Sequence, residues 1–299
     1  MTERCPICRS TSLHEHWSDV GDRAEGGVSP QSFRPSSERY GATTGAVVRC
    51  GACGHGWVSE WPDPGRVGDA YRAAVDEISL RERAGQVATA ARGLAALEQH
   101  VSPGRFLDIG CWTGSMVEAA GPRGWQAEGI DPSAWAVEVG RSRGLDLRVG
   151  DVDALRGAGE PYRAAAACDV LEHLTDPAGA VHVIVSRLEP GGALYLTVPD
   201  AGSVLARALG RRWWSVLPMH LHYFTRTSML LLLGEAGLVP VRVATHAKVF
   251  TARYYAERLG GYSTNLERLA CGALARAGVA DRPIAPDLRD RMEVIAVRR

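Results

Sequence analysis

Apolar positions in the middle of the chain fall into short runs separated by stretches of helical periodicity. Five runs read as strands: Arg105–Ile109, Gln126–Ile130, Asp146–Val149, Arg163–Cys168 and Ala193–Val198. Helices are expected to begin between them near Thr113, Pro132 and Pro177. Proline suits a first helical position, because its missing N–H would have no intrahelical partner there. Upstream, Leu80, Val87, Ala91, Leu94 and Leu97 recur at helical spacing over Ser79–His100, and Ser102-Pro103-Gly104 supplies the stop. Such alternation builds a parallel sheet with helices on both faces. After Pro199 the alternation ends. A helix over Thr227–Ala236, a strand over Val239–Thr245, helices to about Ala277 and a closing edge strand over Met292–Val297 are expected. No internal repeat is visible.

Composition narrows the class. The 299 residues are 45% hydrophobic and 23% charged, an ordinary globular balance. Thirty-four Lys+Arg offset 34 Asp+Glu, and Lys248 is the single lysine. No net basic field exists to gather phosphates, which weighs against a dedicated nucleic-acid binder. The start Met1-Thr2-Glu3-Arg4-Cys5-Pro6 lacks the apolar core of a signal peptide. The longest apolar run, near Met229–Leu233, is far too short to span a bilayer. A cytoplasmic protein with reduced thiols is expected.

The seven cysteines then point to metal or packing. Four lie in two Cys-x-x-Cys pairs, Cys5-Pro-Ile-Cys8 and Cys50-Gly-Ala-Cys53. Each knuckle presents two thiolates to one ion, and four sulfurs close a tetrahedral zinc site with no open position. A structural zinc ribbon is therefore expected, with His55 beside it. A redox role for Cys5 and Cys8 is disfavoured because no βαβ unit follows the motif. The Gly-, Ser-, Pro- and Arg-rich segment between the pairs would not fold unaided. The expected organisation is a zinc ribbon over residues 1–60, a linker and N-terminal helix over 61–102, and a catalytic domain over 103–299 with an insert at 200–282.

The central signal is Phe106-Leu-Asp108-Ile-Gly110-Cys-Trp112-Thr-Gly114, a strand entering a glycine turn and then a helix. Helix N-terminal amides can hold a carboxylate or phosphate. A dinucleotide fingerprint requires Gly-x-Gly-x-x-Gly, but its second and third glycine slots hold Trp112 and Ser115. A tryptophan there blocks close approach to a pyrophosphate. Later strands also end in acids. Asp131 follows Gly110 by 21 positions, Asp151-Val152 closes the third strand, and Cys168-Asp169-Val-Leu-Glu172-His173 closes the fourth. These are the edges where open α/β sheets bind ligands. A carboxylate at Asp131 can accept both hydroxyls of a ribose.

The Asp-x-Gly-x-x-x-Gly spacing resembles motif I of class I S-adenosylmethionine-dependent methyltransferases. The whole chain resembles a bacterial family of small-molecule methyltransferases with an N-terminal zinc ribbon. The resemblance rests on the paired Cys-x-x-Cys, Leu-Asp-Ile-Gly-Cys, Asp-Val-Leu-Glu-His-Leu, Pro218-Met-His220-Leu-His-Tyr223-Phe-Thr225 and the closing Asp290-Arg-Met-Glu-Val-Ile-Ala-Val. It implies a Rossmann-like, seven-stranded fold with a zinc-ribbon module. It implies that Asp108 and Gly110 meet the amino-acid end of S-adenosylmethionine, Asp131 the ribose and Asp151-Val152 the adenine. Trp112, Gly114, Cys168 and Asp169 complete the cofactor-side candidates. Trp112 stands where the family carries a small residue and narrows the pocket floor.

Methyl transfer from a sulfonium needs alignment, exclusion of water and, for many acceptors, a base. His220 is the favoured base by resemblance, His173 the second, and Tyr223 a further catalytic candidate. Trp213, Trp214, Tyr223 and Phe224 suggest a substrate wall, and Arg211-Arg212 either an anion contact or a solvated pair. The expected acceptor is a small molecule such as a sugar, a nucleotide-linked sugar or a natural-product intermediate. Two alternatives stand: an RNA methyltransferase whose ribbon docks RNA, and a non-catalytic regulatory protein that binds the cofactor. Acceptor identity, O-, N- or C-methylation and oligomeric state are not readable.

Overall fold

The computed structural model describes residues 3–18, 40–60, 63–157 and 159–299. Much of the segment between the cysteine pairs, and Trp61-Pro62 of the expected linker, lie outside the described residues. The N-terminal region forms β1 (Leu13–Trp17), β2 (Val47–Cys50) and β3 (Gly56–Val58). These strands pair antiparallel in that order.

Where a linker is expected, Pro64–Arg72 forms helix α1. The helix read over Ser79–His100 is two pieces, α2 (Glu77–Leu80) and α3 (Arg83–Leu97). Asp76 caps α2 by accepting from the amides of Ile78 and Ser79. Gly93 brings α3 onto the sheet, since a Cβ there would lie 2.5 Å from the Tyr195 hydroxyl.

Five parallel strands follow: β4 (Arg105–Ile109), β5 (Gln126–Asp131), β6 (Leu147–Val149), β7 (Tyr162–Cys168) and β8 (Leu188–Pro199). Helices α4 (Ser115–Ala120), α5 (Ala134–Arg141) and α6 (Pro177–Ser186) connect them. Buried Ala164–Ala167 of β7 lie between β4 and β8, and the slim strand lets both neighbours close in. The C-terminal part holds α7 (Val204–Leu209), β9 (His222–Tyr223), α8 (Arg226–Glu235), β10 (Leu238–Thr245), β11 (Phe250–Thr251), α9 (Ala252–Glu257), α10 (Thr264–Arg276), β12 (Pro283–Ile284) and β13 (Arg291–Arg298).

The mixed central sheet has the order β10-β13-β8-β7-β4-β5-β6, so the seven-stranded Rossmann-like expectation holds. The terminal strand is not an edge: β13 runs antiparallel between β8 and β10. Met292–Ala296 are all buried, the pattern of a strand covered on both faces. The edge is β10, which carries Pro240, a residue that cannot donate to a ladder.

The chain leaves β4 toward β5 and β6, then returns to place β7 on the other side of β4. The loops after β4 and β7 therefore diverge at one point on the C-terminal edge, where a doubly wound sheet opens a crevice. The N-terminal strands reach the same edge. Strand β3 pairs antiparallel with β9, giving a four-stranded sheet β1-β2-β3-β9. Among the described residues, no helix is long and apolar enough to cross a membrane.

Candidate cofactor and acceptor site

The loop after β4 is shaped by left-handed backbone. Gly110, Trp112 and Gly114 have φ of 66°, 49° and 84°. A Cβ on Gly110 would come within 2.6 Å of Val170 Cγ2, so glycine is required both by conformation and by space. The turn lets the amides of Gly110 and Cys111 donate to Ile130 O, tying the loop to the end of β5. The Trp112 amide donates to Asp131 Oδ2 at 2.8 Å, and the Ser133 amide donates to Asp131 Oδ1 at 2.8 Å. Asp131 is thus fixed with one amide on each oxygen, leaving lone pairs for further hydroxyl donors.

Asp108 and Asp131 are buried acids near one another. Burial, with Asp131 adding to it, holds the Asp108 carboxyl well above its ordinary range. Burial pushes Asp131 up to about 6, and the Ser133 and Trp112 amides pull it part of the way back. Trp112 turns its indole toward the helices above the loop. Its Nε1 donates to Ser79 Oγ at 3.1 Å, and its ring lies 5.6 Å from that of Trp135.

The other cofactor-side candidates are placed differently. Asp151 is exposed and accepts from the amides of Asp153 and Ala154, capping the short turn Val152–Leu155. Val152 packs on the main core. Cys168 ends β7, its thiol pushed up to about 12 by burial with Asp108 adding. Asp169, at φ 57°, is ion-paired with Lys248 and Arg291.

The loop after β7 continues through Glu172 and His173 and meets the segment before β9. The amide of Leu221 donates to Glu172 O at 2.8 Å. His173 and His220 face each other, ring centroids 4.8 Å apart. Each is oriented by a main-chain carbonyl: His173 Nδ1 lies 3.1 Å from Met219 O, and His220 Nδ1 lies 2.7 Å from Ser215 O. A carbonyl can only accept, so both Nδ1 atoms carry hydrogen and both Nε2 atoms keep a free lone pair. Burial holds His173 well below its ordinary value, with His220 adding, and lowers His220 to about 4. Tyr71 of α1 packs edge-on against His173 at 5.8 Å.

Tyr223 does not join the histidines. It packs edge-on against Trp17 at 5.3 Å and lines a separate cavity of about 150 Å³ with His16, Arg49 and Trp213. His222 is also elsewhere, its Nδ1 lying 3.0 Å from His55 Nε2. The aromatic run is mostly core rather than substrate wall. Trp213 is buried and donates from Nε1 to Asp290 Oδ2, and Phe224 is buried in the main core. Arg211 donates to Gly41 O, Ser18 O and Thr43 Oγ1, which ties the insert to the N-terminal region.

The four cysteine sulfurs of the two knuckles converge within 4.8 Å of one another. Cys5 Sγ lies 3.7 Å from Cys53 Sγ, and Cys8 Sγ lies 3.5 Å from Cys50 Sγ. Four ligands at the Zn–S length would stand about 3.8 Å apart. His55 stays outside this group, as the sequence suggests, and bonds to His222 instead.

Sequence reasoning missed three contributors. Glu172 sits inside a quoted motif but was given no role. Tyr71 lies on a helix that falls in the segment read as linker. Ser79 carries no sequence mark of its contact with Trp112.

Comparison with known proteins places the chain in a known fold. Residues 80–243 fit the model of a methyltransferase domain. A ubiquinone biosynthesis O-methyltransferase of Alkalilimnicola ehrlichii is 38% identical over 95 residues, 29% of this chain and 38% of the relative. That of Xylella fastidiosa strain 9a5c is 34% identical over 104 residues, 32% of this chain and 42% of the relative. The matches thus span less than half the length of these curated relatives. Among solved structures, a magnesium protoporphyrin IX methyltransferase from Synechocystis PCC 6803 superposes with a TM-score of 0.51 at 16% identity, covering 79% of this chain and all of that one. A plantazolicin methyltransferase superposes with 0.51 at 15% identity, covering 79% and 91%. Both likenesses are of fold. With the family model covering more than half of its residues, the chain belongs to the methyltransferase-domain family.

Proposed function

We propose that the protein transfers a methyl group from S-adenosylmethionine to a small-molecule acceptor, and that a structural zinc ion holds its N-terminal ribbon. The observation that carries the first reading is the meeting of two built elements at one sheet edge. The Gly110–Gly114 loop with Asp131 stands on one side, and the His173–His220 pair stands at the end of the neighbouring strand.

The residues fit the cofactor. Asp131 offers acceptor lone pairs for ribose hydroxyls, and the Gly110 cradle leaves no room for a side chain. Burial holds the Asp108 carboxyl well above its ordinary range and pushes Asp131 up to about 6. A ligand bearing an ammonium and a sulfonium supplies compensating charge. When bound, S-adenosylmethionine provides an activated methyl group. The chain aligns it, excludes water and deals with the acceptor's proton.

His220 is positioned for the last task, with His173 second. Both hold Nε2 unprotonated because a main-chain carbonyl occupies the Nδ1 hydrogen. Tyr223 faces the ribbon side, and its support as a catalytic residue falls accordingly. For the adenine, Asp151 supports the reading only by its place after β6, since its carboxylate caps its own turn. The curated relatives are named for O-methylation, and an oxygen acceptor is the reading we favour.

For the ribbon, four sulfurs at zinc-like spacing on two turns support a closed site. Calorimetric titration with S-adenosylhomocysteine, with NADH as control, tests the cofactor. Micromolar or tighter binding of the first alone is expected. A folded sample that binds neither would overturn the reading.

A further inference from the structure

Beside the cofactor loop, the side chains of Glu172, His173 and His220 converge, with one ligand-type atom from each lying within 4.8 Å of the others. Glu172 and His220 are buried, Glu172 to 1% exposure. The two imidazoles can be assigned a tautomer. Their Nδ1 hydrogens are consumed by Met219 O and Ser215 O, so each turns a bare Nε2 lone pair away from those carbonyls. Both carboxylate oxygens of Glu172 lack any hydrogen-bond partner.

The cluster therefore brings acceptors together without a donor among them. A buried carboxyl left in that state is costly, so natural proteins rarely leave one. Simple proton sharing does not resolve it. A protonated Glu172 hydrogen-bonded to a histidine would show an O···N contact, and neither oxygen makes one. Lys248 acts on Glu172 through its charge, but its ammonium donates to Asp169 rather than to either Glu172 oxygen.

We propose that Glu172, His173 and His220 bind a divalent first-row transition cation that faces the acceptor. Two imidazoles and one carboxylate are a donor set suited to Mn²⁺, Fe²⁺ or Zn²⁺ rather than to Ca²⁺ or Mg²⁺, and three protein ligands leave positions open. Ligand atoms about 2.1 Å from one ion stand about 3 Å apart when adjacent and about 4.2 Å when opposite. Closure from the observed spacing needs small side-chain adjustments. The carbonyls behind each Nδ1 are the supporting contacts that metal-bound histidines ordinarily have.

The inference rests on the proposed methyl transfer and deepens it. A hydroxyl coordinated to the cation becomes more acidic and is held in a fixed orientation beside the methyl donor. The proton released on coordination goes to solvent, and no oxidant or reductant is required. The chemical class of acceptor is thereby narrowed to one with an ionisable hydroxyl, best with a neighbouring oxygen that also reaches the cation.

The test uses the full chain with its ribbon loaded with zinc, so that the four-cysteine site is not in play. Titration with Mn²⁺, followed by calorimetry and electron paramagnetic resonance, is expected to show one saturable equivalent. Nitrogen modulation in the spin-echo signal should report imidazole ligation. Glu172→Gln and His220→Ala should each weaken Mn²⁺ binding at least tenfold while retaining one zinc per chain. The spin-echo measurement on the unaltered protein stands even if a variant fails to fold. Absence of Mn²⁺ uptake at millimolar concentration, or unchanged binding in a folded Glu172→Gln variant, would overturn the inference. S-adenosylhomocysteine binding is measured on the same samples. Cofactor binding without Mn²⁺ uptake would overturn the cation site alone and leave the histidines to act as a base. Loss of cofactor binding would instead defeat the methyltransferase reading.

Discussion

At the scale of single residues, Asp131 would join backbone to ligand chemistry in the proposed site. Its two oxygens each take one loop amide, and the Trp112 amide reaches it only because residue 112 adopts a left-handed φ. Burial raises its carboxyl to about 6. Hydroxyl donors on a ribose favour the ionised form, so affinity for S-adenosylhomocysteine should be full above pH 7. It should fall as pH drops through 6, by at most about tenfold per unit. Calorimetry from pH 5 to 8 measures this, and a flat profile would remove Asp131 from the site. Asp131→Ala should weaken binding by about 1–3 kcal/mol. His220→Ala makes a complementary case on the acceptor side. Turnover should drop about 10²–10⁴-fold with cofactor affinity unchanged, as for loss of a group acting on the proton; equal turnover would reduce His220 to a loop anchor. That Asp131 ends a strand beside the Gly110–Gly114 loop was legible from the spacing of its motif, whereas His220 stood out by resemblance alone. The placement of Tyr223 was not legible. A two-residue strand turns adjacent side chains to opposite faces, and no pattern that short tells which face meets the histidines.

At the scale of elements, the strands of the parallel half were readable because short apolar runs between helices admit one sheet topology. The extent of β8 was less so. Pro190-Gly191-Gly192 reads as a turn, yet the ladder already begins at Leu188 opposite Tyr162. The position of β13 was also hidden, since pairing order is a long-range property that local periodicity does not encode. The least legible element was the join between ribbon and insert. Strand β3 pairs with β9, Thr225 Oγ1 donates to Cys53 O at 2.8 Å, and the Val58 amide donates to Leu221 O. The insert segment carrying His220 is thereby clamped between the second knuckle and the loop after β7. In the proposed site this clamp would make the ribbon a strut for the acceptor side. Cys50→Ser should open this strut while leaving β4 and the cofactor loop intact. In hydrogen–deuterium exchange, residues 220–225 should lose protection and residues 105–109 should keep it. S-adenosylhomocysteine affinity should stay within about threefold. Unchanged exchange at 220–225 in a zinc-free variant would show that the metal does not support the segment.

For the whole molecule, the packing among the described residues leaves no seam between the N-terminal region and the sheet. Cys5, Ile7, Cys50, Cys53 and Trp57 belong to one continuous buried cluster with Leu107, Ile109, Leu196 and Val294. A second link, Trp17 and Val47 with Trp213 and Tyr223, runs along the other face of the β3–β9 pairing. A small metal module tethered by a linker would melt on its own. The sulfurs here sit in the common core, so loss of the proposed zinc should disturb that core, because close-packed interiors transmit strain. Structural zinc contributes its binding free energy to folding, and each kcal/mol lost from a chain of this size lowers the melting midpoint by about 2–4 °C. Removing zinc with a chelator should therefore move a single cooperative transition of the whole chain downward, by at least about 5 °C, as followed by calorimetry. An unshifted main transition, with a separate small one lost, would mean that the ribbon folds as an independent body. The shared cluster would then be contact without coupling.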